Sequence, residues 1–350
     1  MVPSGRSVLR AWLKTEDQAW ERDWFAQARE VTQRHFGRRV TLFAPLYVSS
    51  VCVNNCLYCG FRTDNPSVAR RVLRRDEIRA EAEVIAAMGH QVILLVAGEH
   101  PRLAGAEAIA EAVKVVRTVA GIHEVRVEIM PLEVDGYRTL RDAGVRAVMV
   151  YQETYDRKRY AQAHPSGPKA AYEWRLGTPD RAYRGGLPRV GLGALLGLSD
   201  PAADVARLVR HARALYGRWR TWPSVSLPRL RPAQEAPWGI HPPHPVDDRT
   251  YLRLVAWVRL ALPQAHLVLS TRESPALRDQ LMTLGLGMTE ISAASRTEVG
   301  GYTAPDARAG QFQIVDDRPV RVIVERLQEL GYYLAYGGAP QAAVASTREP

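Results

Sequence analysis

Short apolar runs alternate with helical segments along most of this 350-residue chain, and that alternation restricts its fold more than any other feature. We predict strands at 40–49, 91–97, 125–129, 147–151, 190–196, 224–227, 267–270 and 289–292. Helices are predicted at 76–88, 106–119, 134–143, 169–184, 202–216, 247–262 and 275–284. Short apolar runs bounded by turn residues are typical of strands buried on both faces of a parallel sheet. Eight such units predict a TIM-type (βα)8 barrel, with an open doubly wound sheet as the alternative.

Segments outside the eight units predict extensions at both ends of the barrel. A helical stretch at 15–36 precedes the first strand, and a final helix at 319–330 follows the eighth. We therefore predict an N-terminal helical extension over 1–38, the barrel over 39–300 and a C-terminal extension packing on the barrel over 301–336. The small and polar residues 337–350 predict a disordered tail.

Charge and hydropathy limit the kinds of partner that we expect. The net charge is +10, but only four of the 47 basic residues are lysines, and the arginines are scattered rather than clustered. Nucleic-acid binding sites concentrate positive charge on one face, so we expect no nucleic-acid partner. No run of about 18 apolar residues is present, so we expect no membrane-spanning helix and a cytoplasmic location.

The only three cysteines of the chain occur together, as Cys52, Cys56 and Cys59 in a C-x3-C-x2-C pattern. An odd number of cysteines and the lack of a secretory signal argue against a disulfide framework. Three thiolates can hold three corners of a [4Fe–4S] cluster and leave the fourth iron open, as a catalytic site requires. A zinc site is the alternative, although tetrahedral zinc needs a fourth ligand.

Polar residues follow several of the predicted strands, at the barrel end where TIM-barrel chemistry occurs. Gly98 and Glu99 follow the second strand, Glu153 follows the fourth, and Arg175 lies on the next helix. Glycine allows close approach of a ligand, a carboxylate accepts from an ammonium, and arginine binds a carboxylate bidentately. Surface ion pairs are the alternative for these side chains. Glycines within the fifth strand, Gly191-Leu192-Gly193, indicate an approaching ligand such as adenine, or close helix packing.

Arginines follow the sixth, seventh and eighth strands, as Arg229 and Arg231, Arg272, and Arg296. Guanidinium groups in an otherwise apolar setting predict a small carboxylated substrate. One of them could instead neutralise Glu273, but we do not expect all of them to do so.

The chain as a whole resembles the 2-iminoacetate synthase family, the radical SAM tyrosine lyases of the thiamine pathway. The resemblance extends from about residue 20 to residue 335. The segments that carry it are 43–47, 52–61, 150–156, 164–169, 193–200, 224–232, 269–279, 290–302, 311–312 and 316–318.

The resemblance implies two cofactors and a set of residues for each. Cys52, Cys56 and Cys59 would hold a [4Fe–4S] cluster whose open iron binds S-adenosyl-L-methionine (SAM). The implied SAM contacts are Tyr58 near the adenine, Gly98 and Glu99 at the amino group, Glu153 at the ribose hydroxyls and Arg175 at the carboxylate. The implied contacts of the substrate carboxylate are Ser292 and Arg296, with Arg272 as a further candidate.

The activity implied by the resemblance is cleavage of the Cα–Cβ bond of L-tyrosine. The products would be 2-iminoacetate (dehydroglycine) and 4-cresol, with methionine and 5′-deoxyadenosine from SAM, and no side chain would act beyond the cluster and SAM. An external one-electron reductant and a thiazole synthase partner are implied as well.

Three alternatives to this activity remain open from the sequence. A related lyase could act on tryptophan, and the tyrosine lyase of [FeFe]-hydrogenase maturation shares many of the same segments. That maturase carries a second cluster on additional cysteines, whereas this chain has no cysteine after Cys59. A non-catalytic metal-binding module is the alternative from a different class.

Overall fold

Eight parallel strands form a closed barrel in the computed structural model, which describes residues 5–306 and 310–335. The strands are β1 (Arg39–Ser49), β2 (Val92–Ala97), β3 (Glu124–Glu128), β4 (Ala147–Glu153), β5 (Val190–Ala194), β6 (Ser224–Ser226), β7 (Leu267–Leu269) and β8 (Met288–Ser292). The barrel is closed because β1 pairs with β2 on one side and with β8 on the other. The prediction of a TIM-type barrel is confirmed, and the open sheet is wrong.

Helices surround this barrel and extend it at both ends. They are α1 (Arg6–Lys14), α2 (Gln18–Phe36), α3 (Arg75–Ala87), α4 (Ala106–Val116), α5 (Val134–Ala143), α6 (Arg157–Ala163), α7 (Tyr172–Leu176), α8 (Thr178–Arg184), α9 (Pro201–Trp219), α10 (Pro237–Ile240), α11 (Asp248–Ala261), α12 (Pro275–Leu284) and α13 (Val320–Glu329). Within the described residues, no helix combines the length and the apolar character needed to cross a bilayer.

Strand β3 has the sequence Glu-Val-Arg-Val-Glu, and its charged residues face the barrel interior. Val125 and Val127 pack in the hydrophobic layer, so the alternation of a strand puts Glu124, Arg126 and Glu128 on the opposite face. The guanidinium of Arg126 lies 2.6 Å from the Glu124 carboxylate and 3.0 Å from that of Glu290 on β8. The lower part of the barrel is therefore filled by an ion-pair network, and Glu128 stands above it at the end of β3.

The single helix predicted over 169–184 is wrong, because the chain is broken there into three pieces. A 3₁₀ turn at Pro168–Ala170 is followed by α7, and α8 then begins beyond Gly177. Pro179 explains the second break: in a continuous helix its ring would clash with the carbonyl four residues earlier, that of Arg175. The short helix α7 ends next to the barrel, and the buried side chain of Arg175 enters the interior.

The described segments nearest the two ends of the chain pack on the barrel. Trp12 of α1 stacks on Trp24 of α2 with 4.5 Å between ring centroids, and the indole nitrogen of Trp12 donates to the backbone oxygen of Arg253 on α11 at 3.0 Å. After α13, a short strand β9 (Tyr333–Leu334) pairs with the start of β1. The predicted tail at 337–350 lies outside the described residues.

Candidate active site

A large cavity opens at the carboxyl ends of the barrel strands. It encloses about 1210 Å³ of empty space, part of which is continuous with solvent. The predicted residues that line it are Cys52, Cys56, Tyr58, Cys59, Gly98, Glu99, Glu153, Arg175, Arg272 and Ser292.

The cysteine loop is fixed to three different parts of the molecule. The backbone nitrogen of Val53 donates to the oxygen of Glu99 at 2.9 Å, and that of Leu57 to Ala163 at 3.0 Å. A third bond, also 2.9 Å, runs from the nitrogen of Gly60 to the oxygen of Gln311. These bonds hold all three thiols against the same cavity.

The chemistry of the three thiols fits an iron–sulfur cluster. Burial raises the pKa of each thiol, that of Cys59 to about 11, and a bound metal would deprotonate them outright. The Cys52 sulfur accepts from the backbone nitrogen of Asn54 at 3.5 Å, a contact that stabilises a thiolate. Within the described residues, no group of three or more His, Cys, Asp or Glu side chains is arranged so that it could hold a single metal ion.

Gly98 lies where β2 passes directly behind the cysteine loop. A Cβ atom at this position would come within 2.5 Å of the Val51 oxygen and 3.3 Å of the Cys52 Cβ. No side chain fits there, so the residue is required for packing of the loop against the strand.

Beside the cysteines, four charged side chains form a closed group of ion pairs. Arg175 is 2.8 Å from Glu99, and Lys169 is 2.8 Å from Glu153. The crossed pairs are longer, 3.9 Å from Lys169 to Glu99 and 3.8 Å from Arg175 to Glu153. Burial alone would raise the pKa of both carboxyl groups, but the two cations outweigh it and hold each pKa below its usual value. Both acids are thus kept ionised inside the protein.

Asn54, which lies between the first two cysteines, connects that loop to the ion pairs. Its side-chain nitrogen donates to the Glu99 carboxylate at 2.9 Å, and its side-chain oxygen accepts from the backbone nitrogen of Lys169 at 2.8 Å. The side chain is buried. One amide therefore sets the position of both an acid and a cation relative to the cysteines.

Tyr58 is oriented by a histidine rather than by solvent. Its hydroxyl lies 2.8 Å from Nε2 of His164, whose Nδ1 is 2.7 Å from the Tyr160 backbone oxygen. The ammonium of Lys169 lies 5.6 Å from the centroid of the Tyr58 ring. The ring is thereby fixed on the cavity wall, where a flat ligand could pack against it.

The strand-end arginines have different roles. Arg229 and Arg231 both pair with the fully buried carboxylate of Glu273, so two of them are structural where one was expected. Arg272 lines the cavity, and its guanidinium lies 3.3 Å from the centroid of the Phe312 ring. Arg296 does not line the cavity.

The two serines at the end of the last strand line the cavity, whereas Arg296 does not. The Ser292 hydroxyl is 2.7 Å from that of Ser295, and its backbone oxygen accepts from Arg278 at 2.7 Å. Arg296 lies near Tyr302 instead: burial raises the pKa of that tyrosine, and the charge of Arg296 opposes the rise. The predicted pair of carboxylate contacts is thus divided, with Ser292 at the cavity and Arg296 outside its lining.

The glycines of β5 make room for side chains of β4. A Cβ on Gly193 would come within 2.5 Å of the Tyr151 ring, and one on Gly191 would overlap the Met149 sulfur. These contacts account for both glycines, and the approach of an adenine to this strand stays a prediction. Tyr151 occupies the space and lines the cavity itself.

Two family models match the chain. The radical SAM superfamily matches residues 46–212, and the biotin and thiamin synthesis associated domain matches residues 226–333. The 2-iminoacetate synthase of Escherichia coli K12 is 37% identical over 328 residues, or 93% of this chain and 85% of that protein. The chain belongs to the 2-iminoacetate synthase family.

Other relatives agree with this membership. The 2-iminoacetate synthase of Salmonella typhimurium LT2 is 36% identical over 87% of this chain and 79% of its own. The crystal structure of HydG, a maturase of the [FeFe]-hydrogenase, superposes with a TM-score of 0.89 at 36% identity, over 95% of this chain and 73% of that one. As a member of the 2-iminoacetate synthase family, the chain is a radical SAM enzyme and a lyase. Radical SAM enzymes use a [4Fe–4S] cluster and SAM. The three cysteines and the charged side chains that line the cavity are suited to hold these two cofactors.

Three cavity residues were not found from the sequence. Lys169 is one of only four lysines, a rarity that could have drawn attention to it. Asn54 lies inside the cysteine motif, which was interpreted for its sulfur ligands alone. Glu128 was included in a strand interpreted as uniformly buried, although the alternation of charged and apolar residues in β3 indicated an inward-facing acid.

Proposed function

We propose that this enzyme cleaves the Cα–Cβ bond of L-tyrosine to give 2-iminoacetate and 4-cresol, with methionine and 5′-deoxyadenosine formed from SAM. One observation carries the proposal. A single cavity holds the three cysteines, the buried ion pairs next to them and an arginine available for a substrate carboxylate. A cluster, SAM and an amino acid could therefore lie in contact with each other and away from bulk water.

The ion pairs beside the cysteines provide the SAM site of this proposal. Glu99 would accept hydrogen bonds from the SAM amino group, and Arg175 would bind its carboxylate. Glu153 would accept from the ribose hydroxyls, and the Tyr58 ring would pack near the adenine. Because each of these side chains already has an opposite charge or a hydrogen-bond partner, the site is ordered before SAM arrives.

Arg272 and Ser292 form the substrate part of the proposed site. Phe312 covers one face of the Arg272 guanidinium, which leaves the N–H groups along its edge for a bidentate grip on the tyrosine carboxylate. Ser292 can donate its hydroxyl to the same carboxylate. We assign the carboxylate to Arg272 in place of Arg296, because only Arg272 reaches the cavity.

When bound, the cluster and SAM would supply a radical that removes a hydrogen atom from the amino group of tyrosine. The protein contributes position: Arg272 and Ser292 hold the amino acid, and the apolar walls formed by Phe43, Leu94 and Val268 exclude water.

Two partners and a location belong to the proposal. A one-electron donor must reduce the cluster, and a thiazole synthase would take the 2-iminoacetate, because a free imine hydrolyses in water. Cluster chemistry of this kind suits the reducing cytoplasm.

The test is an anaerobic assay of the reconstituted enzyme with dithionite, SAM and L-tyrosine. Mass spectrometry should detect 5′-deoxyadenosine, 4-cresol and glyoxylate, the hydrolysis product of 2-iminoacetate. If tyrosine yields deoxyadenosine but no cresol, and tryptophan is cleaved, then tryptophan and not tyrosine is the substrate. No deoxyadenosine from an intact, reducible cluster would support the non-catalytic alternative.

Three variants assign the site within that assay. Cys56→Ala should abolish the cluster absorbance and all SAM cleavage. Arg272→Lys should keep the cluster and raise KM for tyrosine roughly 10-fold or more, since a point charge lacks the bidentate fork. Arg296→Lys is the matched control and should leave KM unchanged; the reverse pattern would return the carboxylate to Arg296.

A further inference from the structure

The carboxylate of Glu128 has a different environment from the other two acids of the cavity. Glu99 and Glu153 are each paired with a cation. Glu128 lines the same cavity at the end of β3, but no described residue gives its side chain a hydrogen bond or an ion pair. The residue is only partly buried and lines the open cavity, so its carboxylate is available to a cationic ligand.

The charges around Glu128 come from several elements of the barrel. Burial raises the pKa of Glu128 to about 7, and the negative charge of Glu153 on β4 adds to that rise. Lys169, Arg272 and Arg175 act in the opposite direction. Their effect is not enough to hold the acid ionised in the way that Glu99 and Glu153 are held.

Two tyrosines make up the remaining polar surroundings. Burial and the charge of Glu128 both raise the pKa of Tyr47 and of Tyr151. The Tyr47 hydroxyl donates to the side-chain oxygen of Gln311 at 2.8 Å, so it is already engaged elsewhere. Tyr151 shares a hydrogen bond with Ser226, so both tyrosine hydroxyls have partners other than Glu128.

We propose that Glu128 binds the α-amino group of the tyrosine whose carboxylate is held by Arg272. The inference rests on the proposed function and extends it to the second charged group of the substrate. In an α-amino acid the amino group and the carboxylate are attached to the same carbon, so their binding residues must be neighbours. Arg272 and Glu128 meet that condition, because both line this cavity and each affects the ionisation of the other.

The phenol of the substrate is the other group that an acid could bind. With its carboxylate on Arg272, tyrosine places the hydroxyl a full side-chain length away from that arginine. The phenol is a neutral donor, whereas the amino group is a cation next to the carboxylate, so an acidic side chain gains more from binding the amino group. The amino group is also the end from which the reaction starts, so an acceptor there fixes the reacting nitrogen.

The experiment compares three ligands on wild type and Glu128→Gln, an isosteric change that removes the charge. Each protein is reconstituted with its cluster and kept oxidised, so that SAM stays intact, and ligand affinity is measured by anaerobic calorimetry. The ligands are L-tyrosine, 3-(4-hydroxyphenyl)propanoate, which lacks the amino group, and L-phenylalanine, which lacks the hydroxyl. Glu133→Gln is the matched control, because Glu133 is an exposed acid only five residues away.

In wild type we expect tyrosine to bind more tightly than the propanoate, and this preference should fall about 10-fold or more in Glu128→Gln. In Glu128→Gln, the preference for tyrosine over phenylalanine should stay as in wild type. The control Glu133→Gln should change neither of the two preferences. Glu128→Asp should keep part of the preference for tyrosine over the propanoate. Loss of the phenylalanine preference instead, or an unchanged propanoate preference, would overturn the inference. If wild type itself neither binds nor cleaves tyrosine, the proposed function fails, which is a distinct result.

Discussion

Lys169 is the cation that holds Glu153 ionised inside the cavity. The residue is nearly as buried as the acid it serves, with side-chain exposures of 11% and 9%. Removing one partner of a buried pair leaves an uncompensated charge, which costs more than the pair itself contributes. The role of Glu153 therefore depends on a side chain 16 residues away.

Lys169→Met should weaken SAM binding roughly 10-fold, because Glu153 would keep only the longer contact to Arg175 and would take up a proton more readily. Iron content should not change, because Lys169 binds no cysteine. The measurement is the SAM dissociation constant of the reconstituted protein. Lys158→Met, at an exposed lysine nearby, is the control, and equal losses in the two variants would contradict the prediction.

Asn54→Ala should also weaken SAM binding by about 10-fold, through loss of the hydrogen bonds to Glu99 and to the backbone of Lys169. Asn55→Ala provides the comparison, since the neighbouring Asn55 side chain bonds to Arg62 and Asp64 and does not line the cavity. Calorimetric titration with SAM separates the two. Iron content should stay at the wild-type level in both variants; loss of iron in Asn54→Ala would show that it supports the cluster instead.

The sequence predicts residues at this scale where a local motif carries the chemistry. The cysteines lie within a span of eight residues, and Glu99 comes just after its strand, so each could be recognised from nearby residues. Asn54 acts through partners 45 and 115 positions away, and Lys169 acts on an acid 16 positions away in another element, and no local pattern indicates such pairs. The different roles of Arg229, which pairs with Glu273, and Arg272, which lines the cavity, could not be predicted for the same reason. The ion pairs of Glu273 form only in the folded barrel.

At the scale of elements, the residue after β2 packs tightly against the cysteine loop. Backbone meets backbone there, with Gly98 against the carbonyl of Val51. Overpacking in a rigid interior typically costs about 1–3 kcal/mol. The junction cannot yield without moving the loop that carries the cysteines.

Gly98→Ala should therefore lower both the stability of the protein, by about 1–3 kcal/mol, and the iron content after reconstitution. Urea unfolding and iron analysis measure the two effects. Gly217→Ala on α9 is the control, because a Cβ there meets nothing within 4 Å and alanine favours a helix. Full iron content in Gly98→Ala would show that the loop tolerates the shift.

The predicted helices and strands agree with the structure where the periodicity of apolar residues and the length of the segment both indicate one type of element. All eight strands of the barrel were found, because each is a short apolar run between turn residues. The segment at 169–184 was not resolved into its parts, because its composition is helical throughout and Pro179 permits a new helix to start as readily as it ends one. That break is also what brings Arg175 into the cavity, so the local exception coincides with the site.

For the whole molecule, the ion pairs at the bottom of the barrel join strands that are distant in the sequence. Arg126 on β3 reaches Glu290 on β8 across the interior at 3.0 Å, and Arg189 lies 3.5 Å from the same acid. Burial raises the pKa of Glu290, but Arg126, His266 and Arg189 outweigh it and lower the pKa to about 2. Closure of the barrel is thus linked to the ionisation of one carboxyl group.

The sign of that linkage determines a pH dependence. The pKa of a glutamate in an unfolded chain is near 4.3. Just below that pH, Glu290 is therefore protonated in the unfolded chain but still ionised in the folded barrel. The stabilisation from Glu290 is complete above about pH 4.3 and is lost as the pH falls towards 2. A shift of about two pKa units corresponds to a free energy of unfolding on the order of 2–3 kcal/mol.

Glu290→Gln removes this titration and should lower the urea midpoint at pH 7, because Arg126 and Arg189 lose a carboxylate partner. The difference in midpoint between wild type and variant should then shrink as the pH falls below about 4.3, since protonated Glu290 behaves like the glutamine. Circular dichroism of the cluster-free protein across pH 7 to 3 measures that difference, with Glu329→Gln on the exposed face of α13 as the control. A difference that stays constant with pH would mean that Glu290 stabilises the barrel by packing, and that its charge is not what joins β8 to β3.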